Sequence, residues 1–323
     1  MKYAELGKTG VMVSQLSFGT ASLGNMLGCI DSPAASRVVW HALDKGITLF
    51  DTSPYYGDGL AEERLGKALR GRRGEVLIGT KAGRYGPDDF DFSPCRIRRS
   101  MEESLRLLRT DYVDIFQLHD VEFVELDGIL NESYEELCRL RDEGKCRFIG
   151  MTGYPPETLR RVITDTEVDV VLCYAHFTLL DTCLANDLQP LAAKRHVGLI
   201  NAAPLATGLL TSSGPKYDHP AGPRIRGAAD KIKVACDGLG IDINFLASQF
   251  SSQRSGCTTT VFGTGNPAHV DVAVAALETP IDEEALSRIR QFAEDSSGVH
   301  WASGLVGPDP RHLTDCEYDA TSM

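Results

Sequence analysis

Eight short runs rich in β-branched residues, recurring at roughly thirty- to forty-residue intervals between longer amphipathic stretches, constrain this chain more than any other feature. They cover residues 15–18, 47–50, 76–80, 113–118, 148–151, 168–173, 197–201 and 259–262. Such a run reads as a strand, and the amphipathic stretch after it as a helix that covers the sheet. Ser32-Pro33 and Ser93-Pro94 each pair an N-cap with a proline at the first helical position. Gly46 and Gly144 stand where helices must stop just ahead of the next strand. The sheet is therefore parallel, either closed as a barrel or open and doubly wound. The open dinucleotide-binding form carries G-x-G-x-x-G after its first strand, and Phe18-Gly19-Thr20-Ala21-Ser22-Leu23-Gly24 lacks that spacing. That absence weakens the open form, while periodicity by itself leaves both closures standing; the expectation at this point is an α/β fold as a single domain over residues 1–323. Residues 1–13 are expected to precede the parallel sheet as a hairpin turning near Gly7, Thr9 and Gly10, residues 211–227 to form a long surface loop, and residues 298–323 to form an irregular tail that holds Trp301.

Charge narrows the partners. With 33 basic against 45 acidic residues and a formal net charge of -12, the surface opposes non-specific attachment to nucleic acid or to anionic membrane. A small-molecule substrate is the expected partner, and composition sets no oligomeric state. The nine cysteines are odd in number and include no C-x-x-C pair, which fits free thiols in a reducing compartment. Cys173 and His176 have a ligand-like spacing but no second pair beside them, so no metal is expected. The start, MKYAELGKTG, is polar, and no apolar run approaches the ~20 residues that span a bilayer, so a cytoplasmic location is expected.

Three consecutive strands run into ionisable residues: Phe50 into Asp51, Thr80 into Lys81 and Leu118 into His119. In a barrel those strands are neighbours, and their carboxyl ends form the face that carries chemistry. Tyr56 follows Asp51 on the loop and can turn back over the group. A phenol with an ordinary pKa near 10 is a poor acid or base at neutral pH, and an adjacent ammonium lowers that value. Lys81 is placed to do this for Tyr56, Asp51 to keep Lys81 charged and oriented, and His119 to hold a substrate oxygen or relay a proton. Each residue alone also fits a structural ion pair or a packed rim side chain. All four at adjacent strand ends favour a site.

At these residues the chain resembles the aldo-keto reductases. The likeness lies in Phe50-Asp51-Thr52-Ser53-Pro54-Tyr55-Tyr56-Gly57, Thr80-Lys81-Ala82-Gly83 and Gln117-Leu118-His119-Asp120, and continues through Asp111-Tyr112-Val113-Asp114, Ala203-Pro204-Leu205 and Gly208-Leu209-Leu210. Within that family the sequence is most similar to the plant-type L-galactose dehydrogenases and related aldose 1-dehydrogenases, through Arg84-Tyr85, Asp91-Phe92-Ser93, Glu122-Phe123, Ile149-Gly150-Met151-Thr152-Gly153, Trp301 and Ser303-Gly304. The resemblance implies a (β/α)8 TIM barrel with Asp51, Tyr56, Lys81 and His119 as the catalytic group. It implies a nicotinamide cofactor held by Gly19, Thr20, Thr152, Gly153, Pro204, Leu205, Gly208, Gly263, Thr264, Gly265 and His269, and a substrate contacted by Tyr55 and Trp301. NAD is expected over NADP, because Gly263 and His269 stand where NADP-using relatives carry a lysine and an arginine.

The chain departs from the family pattern at three positions. Thr152-Gly153 replaces a common Ser-Asn, Ala202 an aromatic ring that stacks on nicotinamide, and Cys173 a glutamine. The basic stretches at 70–73 and 96–99 read as solvated surface. The resemblance implies oxidation of a free aldose of the L-galactose, L-fucose or D-arabinose type at C1 to an aldonolactone with NAD+. The alternatives are NADPH-dependent reduction of aldehydes or ketones by the same residues, and a non-catalytic, redox-sensing subunit on the same barrel.

Overall fold

Successive side chains on a strand point to opposite faces, so in a closed barrel every second residue fills the interior and the others face the helices. The computed structural model, which describes residues 1–215, 218–296 and 299–305, sorts the chain this way. Its strands are β1 (Tyr3–Glu5), β2 (Met12–Ser14), β3 (Leu16–Gly19), β4 (Leu49–Asp51), β5 (Leu77–Ala82), β6 (Val113–Leu118), β7 (Cys146–Gly153), β8 (Val170–Tyr174), β9 (Gly198–Ala202) and β10 (Thr259–Gly263). The last eight are parallel and pair in chain order, with β10 returning to β3 to close the barrel. Around them lie α1 (Ser32–Asp44), α2 (Leu60–Ala68), α3 (Pro94–Leu108), α4 (Leu126–Gly128), α5 (Tyr134–Asp142), α6 (Pro156–Asp165), α7 (Gln189–Arg195), α8 (Pro223–Gly238), α9 (Ile243–Arg254), α10 (Pro267–Glu278) and α11 (Glu283–Arg290).

Two apolar layers follow from the alternation. Leu49, Ile115, Val170, Leu172, Ile200 and Val261 cluster inside the barrel. Phe18, Phe50, Ile78, Phe116, Ile149 and Val171 belong to the larger layer shared with the helices. Burying one such side chain contributes about 1.5–3 kcal/mol. The β1–β2 hairpin adds Leu6 and Val13 to the inner cluster, away from the carboxyl rim. Its turn lies against the chain before β9, where the Lys8 amide donates to the His196 carbonyl at 2.7 Å. Gly7 there has φ +57°, and a Cβ on it would overlap the backbone of residues 196–198.

Several local expectations change. The cap of α1 is Asp31, whose carboxylate accepts the Ala34 amide at 2.7 Å, so Ser32 and Pro33 lie inside the first turn. A carboxylate at a helix N-terminus also gains from the helix dipole. Ser93 caps α3 as expected. Gly46 and Gly144 adopt φ of +85° and +78° at the ends of their helices. The surface loop expected over 211–227 ends sooner, because α8 starts at Pro223. A Gly-Pro pair that reads as loop is also a helix start, since proline's missing N–H costs nothing there. Of the expected tail 298–323, residues 299–305 alone are described. No described helix is long and apolar enough to cross a membrane, and none of the eight described cysteines is in a disulfide, Cys316 lying outside the described residues.

The basic stretches lie at the surface as expected, with Arg70 and Arg99 exposed, and some of their arginines are held in ion pairs. Arg73 and Arg147 each bond the buried Asp114 carboxylate at 2.8 Å. Arg98 bonds Glu136 and Glu143, both at 2.7 Å.

Candidate active site

Strand parity places the charged group. Asp51 lies two residues beyond inward-facing Leu49, Lys81 four beyond Leu77, and His119 four beyond Ile115. Each therefore inherits the inward orientation, and β4, β5 and β6 are adjacent, so all three emerge together at the carboxyl rim. Lys81 Nζ donates to Asp51 Oδ2 at 2.6 Å and to the Thr52 carbonyl at 2.7 Å, with Lys81 almost fully buried. Burial alone would lower the Lys81 pKa, but Asp51 and then Tyr56 outweigh it and raise it, so the ammonium stays charged.

Tyr56 comes from the β4–α2 loop, which is seated by glycines. Gly24 and Gly57 meet face to face, and a Cβ on either would overlap the other's backbone or that of Tyr56. The phenol ring lies 5.0 Å from Lys81 Nζ and 5.7 Å from the His119 ring, nearly perpendicular to the latter. Its pKa is not lowered overall: burial pushes it up to about 12, and the Lys81 charge offsets only part of that. The expectation of a lowered phenol omitted desolvation, which sequence does not display.

His119 is neutral. Burial drives its pKa down to about 3 against the opposing Asp120 carboxylate. Ser53 Oγ lies 2.9 Å from His119 Nδ1 and accepts the Tyr55 amide at 3.2 Å. Its own proton is then free for Nδ1, which leaves Nε2 as the protonated nitrogen. Asp120, at φ +55°, stands 3.6 Å from that Nε2 and takes Arg84 Nη1 at 2.5 Å. The Arg84 guanidinium lies 4.3 Å from the Tyr55 ring centroid. Ser53, Arg84 and Asp120 thus surround the group without having been singled out from sequence. The available signal was their position within one to three residues of the strand-end charges.

A roof of loops covers the rim. Trp301 stacks on Tyr154 with centroids 4.6 Å apart, and its amide donates to the Tyr154 hydroxyl at 3.2 Å. Glu122, almost fully buried, accepts the Ser303 hydroxyl at 2.9 Å and the Tyr154 amide at 3.1 Å. Burial first, then Asp120, pushes its pKa up to about 8. Oε2 of the same carboxyl lacks a hydrogen-bond partner and lies 2.8 Å from where a Cβ on Gly153 would stand. An asparagine at position 153 would require the Glu122 carboxyl to shift, so the glycine of Thr152-Gly153 suits the place where Glu122 sits. The Thr152 hydroxyl accepts the Asp120 amide at 3.0 Å.

The residues expected to hold the cofactor lie around the same rim. Gly19 and Gly263 are register partners at the ends of β3 and β10. Thr20 and Thr52 follow β3 and β4, and their buried hydroxyls have no partner, as polar atoms kept for a ligand would. Pro204, Leu205 and Gly208 belong to a loop after β9 in which Ala203, Ala206 and Thr207 all adopt positive φ, a local strain of about 1–3 kcal/mol each. Thr264 bonds His269 Nδ1 at 3.0 Å, and Gly265 precedes the Asn266 cap of α10. Ala202 lies across from Tyr174, an inward aromatic on the neighbouring strand. Cys173 points into the helix-facing layer and hydrogen-bonds the Tyr154 carbonyl, so it does not stand in for a glutamine at the rim. These residues fit a nicotinamide dinucleotide.

A closed (β/α)8 barrel with an Asp, a Tyr, a Lys and a His gathered at its carboxyl rim defines an oxidoreductase architecture. The aldo/keto reductase family model matches residues 15–294, and the chain belongs to that family. It is an oxidoreductase, and the family uses nicotinamide cofactors. The chain is 40% identical to an L-galactose dehydrogenase of Arabidopsis thaliana over 93% of this chain and 97% of that one. It is 30% identical to a D-threo-aldose 1-dehydrogenase of a Pseudomonas species over 84% and 92%. In structure it resembles the holo form of an aldo-keto reductase of Bacillus halodurans, with a TM-score of 0.76, 28% identity, and coverage of 92% of this chain and 98% of that one.

Proposed function

We propose that this enzyme oxidises a free aldose at C1 to an aldonolactone with NAD+. The juxtaposition of Asp51, Tyr56, Lys81 and His119 at one rim carries this reading, and the sugar-dehydrogenase names of the similar proteins point it toward aldoses. The neutral His119 donates from Nε2 to the substrate oxygen and fixes C1 beside Tyr56. Tyr56, as phenolate stabilised by Lys81, takes the C1 hydroxyl proton. A bound nicotinamide would supply the acceptor for the C1 hydride, so that the C1–O bond becomes a carbonyl. Asp51 holds Lys81 charged and in place. Tyr55 and Trp301 flank the sugar, and Gly19, Thr20, Thr152, Gly153, Pro204, Leu205, Gly208, Gly263, Thr264, Gly265 and His269 line the cofactor cleft.

One observation favours the reverse reaction as a second reading. A phenol pushed up to about 12 is protonated at neutral pH, the state that donates during carbonyl reduction. A spectrophotometric screen separates the two readings. NADH formation with L-galactose, L-fucose or D-arabinose is expected. NADPH consumption with simple aldehydes, together with no oxidation of any free sugar, would replace the first reading by the second.

A further inference from the structure

Away from the Asp51–Lys81 group, the loop after β8 and the C-terminal segment bring together two imidazoles, a carboxylate and a thiol. His176 is completely buried, and its Nδ1 lies 2.7 Å from Asp181 Oδ2. Cys183 Sγ lies 3.1 Å from His176 Nδ1 and 3.1 Å from the same Asp181 oxygen. His300 Nε2 approaches that oxygen at 3.2 Å. The four donor atoms all lie within 4.8 Å of one another.

Hydrogen bonding alone accounts poorly for this packing. Three groups converge on one carboxylate oxygen, which offers about two lone-pair directions. Two of them, the thiol and His176 Nδ1, are also pressed against each other. A tetrahedral cation removes the conflict, because all four atoms then point lone pairs at one centre. Zinc bonds of ~2.0–2.3 Å place neighbouring ligands on the order of 3.3–3.6 Å apart; the separations of 2.7, 3.1, 3.1 and 3.2 Å are somewhat shorter, so the ligand atoms move slightly apart as the ion enters. A thiolate, two imidazoles and one carboxylate form a mixed, borderline-soft set that suits zinc better than calcium or magnesium.

We propose that His176 Nδ1, Asp181 Oδ2, Cys183 Sγ and His300 Nε2 form a closed structural zinc site that fastens the C-terminal segment to the β8–α7 loop. Four protein ligands leave no open position, so the ion supplies no step of the redox chemistry. Its role is positional: His300 adjoins Trp301, which packs on Tyr154, and Ser303, which bonds Glu122. Zinc takes the Cys183 sulfur as thiolate, so binding releases a proton and weakens in acid. The site is independent of the sugar reading and departs from the expectation that no metal is present. The single Cys173–His176 spacing concealed it, because the ligands are Cys183, five-apart Asp181 and distant His300.

The test uses untagged full-length chain purified without chelator. Elemental analysis is expected to find about one equivalent of zinc per chain after gel filtration. Replacing it with cobalt should give a near-ultraviolet thiolate-to-cobalt charge-transfer band, absent in Cys183→Ser, and His300→Ala should weaken cobalt binding by at least roughly tenfold. Wild-type chain without bound divalent metal, and without that band on cobalt titration, overturns the site without relying on any variant. A band that persists in a folded Cys183→Ser protein places the metal elsewhere and also overturns it.

Discussion

The strand-end rim and the roof above it use the same kinds of polar group but fix them differently. At the rim, Asp51 and Lys81 sit within strands, and His119 directly follows one, so ladder hydrogen bonds set their positions. In the roof, Glu122, Tyr154, Trp301 and Ser303 come from loops and the C-terminal segment and are fixed by contacts between side chains far apart in sequence. A rim residue can therefore be removed with little effect on the backbone that carries it, whereas a roof residue carries both geometry and stability.

The sharpest break between the regions is Tyr56→Phe. It removes the proton-transfer oxygen while leaving the Gly24–Gly57 contact that seats the loop. Turnover should fall by ~10²- to 10⁴-fold, with cofactor affinity and melting temperature nearly unchanged. Steady-state kinetics beside cofactor titration check this, and retention of more than about a tenth of kcat removes Tyr56 from the proposed role. Lys81→Met should also inactivate, with residual oxidation displaced to more alkaline pH because the phenol loses its ammonium. An unshifted pH–rate profile would show that Lys81 does not tune the base.

How much of each region could be read from sequence follows the same division. Rim positions follow from a period of two and the order of the strands, so Asp51, Lys81 and His119 are visible in a linear chain. The Tyr56 pKa is not, because burial outweighs the lysine and burial is a property of packing. The Gly153–Glu122 fit and the His176–Asp181–Cys183–His300 cluster are invisible for a related reason. They depend on which loop lies over which, and no local periodicity encodes that.

For the roof, Glu122→Gln gives a smaller effect, in stability. The folded pKa of Glu122, about 8, exceeds its ordinary 4.5, so the folded state holds the proton more tightly. The stabilisation is fully present below the unfolded pKa and is lost as pH rises through about 8. At about 1.4 kcal/mol per pKa unit it amounts to several kcal/mol at most. Between pH 5 and 9, wild type should lose melting temperature relative to Glu122→Gln, which keeps an oxygen for Ser303 and Tyr154. Parallel melting curves for the two proteins would show that Glu122 is already ionised in the folded state.

The smallest expected effect tests the cofactor cleft: kcat/KM should favour NAD+ over NADP+ by at least about tenfold at neutral pH. A 2′-phosphate carries roughly two negative charges, and each charge-assisted contact to it is worth ~1.5–3 kcal/mol. The resemblance places a lysine and an arginine of NADP-using relatives at Gly263 and His269, and this chain offers neither. His269 Nδ1 is engaged by the Thr264 hydroxyl at 3.0 Å, and Asn266 turns its side chain to the Ala268 amide at the start of α10. Loop amides remain as weak anion donors. Restoring the lysine is a poor probe, because a Cβ at Gly263 would lie 3.0 Å from the Gly19 carbonyl, backbone that cannot easily give way. His269→Arg disturbs less, since residue 269 is exposed on the first turn of α10. That variant should narrow the preference, chiefly by lowering KM for NADP+. Equal kcat/KM for the two cofactors in wild type would refute NAD+ preference, and an unchanged ratio in His269→Arg would move its cause away from the β10–α10 loop.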